Sequence, residues 1–177
     1  MTTSNTGPIP PIHFAPARGA RLAYQVFGDG PATIVSIPPT AQNIEMAWER
    51  PEIRRMFDRF ASFSRFLHFD KRGTGSSDRR SHVAGIDERV DDLRAVMDHA
   101  GIDTAHLFVS SEGGPMAILF AATYPERAQS LTLWGSGASM MPANMSDPER
   151  DEQEERHERF VSVWGTPESP VVCLLYT

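Results

Sequence analysis

Cysteine is nearly missing from the 177 residues: Cys173 stands alone. No internal disulfide framework can hold the fold, and a reducing compartment is expected. A basic surplus is missing too. The formal net charge is −6, and no lysine–arginine cluster offsets it, which argues against a nucleic-acid-binding surface. No apolar run approaches the roughly 20 residues needed to cross a bilayer. Thr2 to Pro11 is polar and proline-rich and lacks the basic-then-apolar order of a signal peptide. Internal repeats are absent. The expectation is a soluble, cytoplasmic chain, 40% hydrophobic and 23% charged, long enough for one domain with a sizeable core.

The chain divides by pattern into a disordered leader (1–11), a main domain (12–146) and a final segment (147–177) of different composition. Ile12 to Ala15 and Arg21 to Phe27 read as an antiparallel hairpin turning at Gly19. Thr33 to Ile37 is a β-branched run suited to a strand covered on both faces. Pro51 to Phe63 has Ile53, Met56, Phe57, Phe60 and Ala61 at helical spacing, with proline in the first turn. Phe66 to Phe69 is the next strand, and it runs into a polar loop, Asp70 to Asp78. Ile86 to Ala100 is an amphipathic helix stopped by Gly101. A strand from Ala105 to Val109, a helix from Met116 to Tyr124 and a strand from Ser130 to Trp134 follow. Strands alternating with helices after an opening hairpin indicate an α/β fold with a mostly parallel sheet and helices on both faces. From Asp147 to Arg159 the chain is almost wholly charged and reads as a solvated helix, and Val171 to Thr177 is an apolar tail.

The most informative stretch is Leu107-Phe108-Val109-Ser110-Ser111-Glu112-Gly113-Gly114-Pro115-Met116. A serine between a buried strand and a helix, flanked by small residues, is the arrangement called a nucleophile elbow, in which a sharp turn lifts the hydroxyl above the sheet. Against the pattern G-x-S-x-G, Ser111 keeps the second glycine (Gly113) and has Val109 in place of the first. With Ser110 at the tip, Phe108 and Glu112 would fill the small positions, a poorer fit. A strand–turn–helix without chemistry is the bland alternative.

Three segments in this order resemble the α/β-hydrolase superfamily: Asp70-Lys71-Arg72-Gly73-Thr74-Gly75-Ser76-Ser77-Asp78, the elbow, and Thr123-Tyr124-Pro125-Glu126-Arg127 followed by an apolar strand. More narrowly, "FDKRGTG", "SEGGPM" and "AATYPER" look like the bacterial hydrolase domains joined to adenylate/guanylate cyclase or regulator domains, although these 177 residues contain no cyclase or DNA-binding segment. The resemblance implies an α/β-hydrolase fold over roughly Ile12 to Trp164, incomplete at the C-terminus, with the start of a cap after residue 147. It implies acyl transfer through Ser111, with the oxyanion held by the backbone N–H of Glu112 and by that of Thr40, because Pro39 has no N–H to offer. It implies no cofactor and no metal. Asp70, Gly73 and Gly75 are expected to be structural, and Arg72 to pair locally.

The histidine and acid of a triad are not found. His13 and His68 fall in strands, His99 and His106 flank the strand before the elbow, His82 is in a loop, and His157 is on the charged helix. Two readings follow. One is an esterase-like serine hydrolase, truncated and weak or inactive, acting on a small-molecule ester. The other is a non-catalytic module that uses the same pocket to sense a small apolar ligand. The strand Ser130–Trp134 is also expected to leave an open sheet edge through which chains could self-associate.

Overall fold

The computed structural model describes residues 8–40, 42–79, 84–139 and 145–163. The apolar tail, His82, Trp164 and most of the expected leader lie outside the described residues. The chain divides into two compact units, Met1–Met140 and Met141–Thr177.

The first unit opens with a hairpin, β1 (His13–Ala17) and β2 (Ala20–Phe27). Ala17 pairs with Ala20, so the turn has only Arg18 and Gly19, and Gly19 supplies the positive φ of +67° that so tight a reversal needs. Then come β3 (Ala32–Ile37), α1 (Pro51–Ala61), β4 (Ser64–Phe69), α2 (Ile86–His99), β5 (Ala105–Ser110), α3 (Gly114–Thr123) and β6 (Ala128–Trp134). These strands form one sheet in the order β1-β2-β4-β3-β5-β6. The first three in that order are antiparallel, and β4, β3, β5 and β6 run parallel.

The elements follow the pattern of apolar residues, with shifts at their ends. Helix α1 stops at Ala61, two residues earlier than its periodicity suggests. The cause is tertiary: Ser64 and Arg65 pair with Ala32 and Thr33 of β3, so β4 starts before its apolar run. The Ser64 hydroxyl donates to the Phe60 carbonyl at 2.8 Å and closes the helix end.

Strand β4 is buried on both faces, and its alternation sorts the core. Leu67 and Phe69 join Leu22, Val35, Ile37, Leu107 and Val109 with the apolar face of α2 and α3. Phe66 points the other way, to Trp48 and Phe57 beside α1. β6 is the outer strand of the described sheet, with Leu133 40% and Trp134 65% exposed. In the second unit, α4 (Asp147–Ser162) is entered through Ser146, whose backbone N–H and hydroxyl both donate to Glu149, at 2.8 and 2.6 Å.

A polar group sits inside the α1-side aromatic cluster. The Trp48 indole N–H donates to Gln25 Oε1 at 2.8 Å, and His68 Nε2 lies 2.7 Å from the same oxygen. Indole only donates, so the contacted Gln25 atom is the oxygen, and His68 must carry its proton on Nε2. Phe27 and Phe57 press edge-on against the imidazole. Burial drives its pKa down to about 3, which keeps the ring neutral.

The unfolded chain therefore binds a proton at this site more readily than the fold does, and stability falls as pH drops below about 6.5. Between pH 7 and pH 5 the site should cost about 2 kcal/mol. Urea titrations of the wild type and of His68→Gln at both pH values measure it, and the variant should lose less stability on acidification.

Candidate functional site

Ser111 occupies the turn between β5 and α3. Its φ is +52°, and among the described residues it is the only non-glycine with positive φ. Such a conformation costs an L-residue about 1–3 kcal/mol and persists where its surroundings enforce it. A short 3-10 turn, Ser111–Gly113, carries the chain into α3. The sequence pattern placed the start of this helix at Met116, whereas the α-helix begins two residues earlier, at Gly114.

The enforcement is steric and polar. A Cβ on Gly114 would come within 2.3 Å of the Gly137 carbonyl oxygen and 2.4 Å of Ser136 Oγ. A Cβ on Gly113 would come within 3.0 Å of Ile37, 3.1 Å of the Pro38 carbonyl oxygen and 3.2 Å of Val109. Val109, standing where the elbow pattern has glycine, is thus accommodated by a glycine on the far side of the turn. The Ser136 hydroxyl donates to the Ser111 carbonyl.

The loop after β3 passes beside this turn. Ile37 pairs with Val109 in parallel register, so Pro38, Pro39 and Thr40 leave the sheet alongside Ser110 and Ser111, with Thr40 exposed. Thr40 and Glu112 therefore lie at the same end of neighbouring strands, the end where ligands bind in open α/β sheets.

Asp70, at the C-terminal end of β4, holds that end together. Its carboxylate accepts from the Ile44 N–H at 3.1 Å and from the Ser76 N–H at 2.8 Å, joining the loop after β3 to the loop after β4. Burial outweighs these amides and raises its pKa to about 6. Gly73 and Gly75 have φ of +81° and +50°, and a Cβ on Gly75 would meet Asp70 Oδ2 at 2.0 Å. Ser77 ties the loop to β2: its hydroxyl accepts from Ala23 N–H at 2.9 Å and donates to the Asp70 carbonyl at 2.7 Å. Arg72, which the resemblance implied would pair locally, has its carboxylate partners outside the loop. It reaches α2, where Nε bonds Asp92 at 2.6 Å and Nη1 meets Glu88.

Glu112 is gripped by two cations that the sequence did not single out. Lys71 Nζ meets its Oε1, and Arg89 Nη1 lies 3.1 Å from its Oε2. The described histidines of the first unit are placed elsewhere. His68 is walled into the aromatic cluster, and His99 Nδ1 lies 2.9 Å from the Tyr24 hydroxyl. His106 Nδ1 lies 2.9 Å from Ser130 Oγ, on a strand whose rise puts it roughly 16 Å along the chain from Ser111. His13 stacks near Tyr24, and His157 is on α4 of the second unit. Among the described residues, no hydrogen bond joins a histidine to the Ser111 hydroxyl.

This strand order, with a strained serine at the end of β5, is that of a known family. The family model described as the alpha/beta hydrolase fold matches residues 53–164, and the chain belongs to that family. A 2-hydroxy-6-oxononadienedioate/2-hydroxy-6-oxononatrienedioate hydrolase of Paraburkholderia phymatum is 34% identical over 121 residues, covering 66% of this chain and 40% of its own. Among solved structures, Cfl2 from Burkholderia cenocepacia superposes with a TM-score of 0.67 and 25% identity, over 92% of this chain and 54% of that one. A meta-cleavage product hydrolase from Pseudomonas fluorescens, complexed with acetates, gives 0.59 and 27%, over 70% of this chain and 44% of that one. The chain spans 40% of the curated relative's length.

Removing the Asp70 carboxylate would leave the buried Ile44 N–H and the partly buried Ser76 N–H without their acceptor. Asp70→Ala should therefore destabilise the fold by about 2 kcal/mol or more at neutral pH. Gly75→Ala should approach the same loss by displacing the carboxylate. Thermal melts check both. Because Asp70 holds its proton more tightly when folded, it favours the fold below about pH 4, and this contribution is lost as pH rises through about 6. Asp70→Asn should remove that dependence.

Proposed function

We propose that Ser111 is the nucleophile of an esterase-like serine hydrolase site acting on a small-molecule ester. The observation that carries the reading is the φ of +52° at Ser111, a strained serine at the end of a parallel strand where a helix begins. In the reaction, Ser111 Oγ gives up its proton to solvent water and bonds to the ester carbonyl carbon, and the carbonyl π electrons move onto the oxygen as negative charge. The N–H of Glu112, at the entrance to α3, and the N–H of Thr40 are the groups assigned to that oxygen. Collapse of the adduct breaks the bond to the alcohol oxygen, which leaves with a proton from water, and an acyl group stays on Ser111. Membership of the α/β-hydrolase family and similarity to proteins named as hydrolases support the reading.

A fluorophosphonate probe tests it directly. One probe per chain should attach, map to the peptide containing Ser111, and be lost in Ser111→Ala. No attachment, or attachment unchanged by the substitution, overturns the proposal.

Turnover by this chain is a separate matter. Hydrolysis of the acyl group needs a base on the attacking water, and sites stripped of their base retain roughly 10³–10⁴-fold acceleration over water. With p-nitrophenyl acetate, the 177-residue chain should release no more than one equivalent of p-nitrophenol and then nearly stop. Sustained turnover abolished by Ser111→Ala would reveal a base outside the residues described here.

A further inference from the structure

The chain contains a single lysine, Lys71, among its 17 lysines and arginines. That lysine is 10% exposed and is spent on Glu112, the residue after the elbow serine. Glu112 follows a residue in a strained conformation, and both of its carboxylate oxygens are taken, one by Lys71 from the loop after β4 and one by Arg89 from the first turn of α2. The cations are themselves anchored. Arg89 Nε donates to the Ala84 carbonyl at 3.2 Å, and the Lys71 carbonyl accepts from Thr74 N–H at 3.0 Å and from its hydroxyl at 2.9 Å.

Gathering two cations around one carboxylate in a half-buried place is expensive, since each charge gives up solvent. A solvated glutamate would serve as well if the only need were an acid near a helix N-terminus. The arrangement instead ties Glu112, whose N–H belongs to the Ser111–Glu112 peptide, to the loop after β4 and to α2.

We propose that the Lys71–Glu112–Arg89 clamp is a positioning device: by fixing the Glu112 side chain it holds the Ser111–Glu112 peptide so that its N–H faces the oxyanion. This deepens the assignment of Ser111 as nucleophile and rests on it. None of the three side chains touches the substrate in this scheme. A lost oxyanion donor costs about 10²–10³ in rate, so a loosened one should cost at least about tenfold.

The groups that face Lys71 are Glu112 from the 3-10 turn and Arg89 from α2. Its neighbours are engaged elsewhere, Asp70 with the Ile44 and Ser76 amides and Arg72 with Asp92 and Glu88. Despite its carboxylate partner, burial and then the nearby Arg89 pull the Lys71 ammonium down to about 8. The clamp should therefore slacken on the Lys71 side above about pH 8.

The experiment measures the second-order rate of fluorophosphonate attachment to Ser111 from pH 6 to 10, together with amide hydrogen exchange of the segment around residues 109–116. The clamp predicts that Glu112→Ala slows attachment at least tenfold and speeds exchange in that segment alone. It predicts that Lys71→Met/Arg89→Met does the same, and that adding Glu112→Ala to this pair costs nothing further, because all three act as one unit. Lys71→Arg, which keeps its charge at every pH tested, should retain the rate and lose the alkaline decline seen in the wild type.

Unchanged rate and unchanged exchange in Glu112→Ala overturn the proposal. So does a large loss in Lys71→Arg with Glu112→Ala left fast, since that pattern makes Lys71 a base on Ser111. If the wild type takes up no probe, the nucleophile assignment fails by itself. Exchange then still decides whether the clamp holds the turn: faster exchange in Glu112→Ala shows that it does, with its role in the reaction gone, and unchanged exchange removes the clamp as well.

Discussion

The upper end of this sheet depends on a turn that L-amino acids resist. Ser111 at φ +52° is held there because there is no room around it to relax. Gly114 has room for hydrogen alone, Gly113 is tightly flanked by Ile37, the Pro38 carbonyl and Val109, and the Ser136 hydroxyl holds the Ser111 carbonyl. Strain of about 1–3 kcal/mol survives only when the surroundings over-determine it. Each of these contacts comes from a different part of the chain, so the strain is a property of the assembled sheet and not of ten residues read alone.

Asp70 extends the same logic sideways. Its carboxylate joins the loop after β3 to the loop after β4, so the segment carrying Thr40 is referenced to the sheet through a buried acceptor. Arg72 then secures the following residues to α2 through Asp92 and Glu88. Loops at this edge are thus fixed by charged and polar contacts, whereas the strands below them are fixed by apolar packing on both faces. That division suits a site built on a rigid scaffold, where loops bear the chemistry and the core keeps them in place.

Much of this was legible in the sequence, and the boundary of legibility has a physical cause. Apolar runs and turn residues give each strand and helix because they record local burial, and Ser111 could be singled out because a strand, a small-residue turn and a helix are contiguous. Asp70 could be read as structural through the resemblance, but its partners Ile44 and Ser76 depend on how two loops meet in space. Lys71, Arg89 and Glu112 are widely spaced along the chain and share no periodicity, so nothing local joins them. Glu112 was singled out only for its backbone N–H, and the environment of its side chain appears only when β4, α2 and β5 are assembled. His68 was legible as a strand-interior residue, whereas its bond to Gln25 was not, because that oxygen arrives from an antiparallel neighbour.

The contrast between two tryptophans has an optical consequence. Trp48 is 7% exposed, with its indole N–H bound inside the aromatic cluster and His68 close at hand, whereas Trp134 on the outer strand is 65% exposed. Indole emission shifts to the blue in dry surroundings. Among the described residues the chain therefore carries two lamps of different colour, Trp164 lying outside them. The blue one reports on the sealed interior, and the red one registers anything that settles on the sheet's open side, including a second chain.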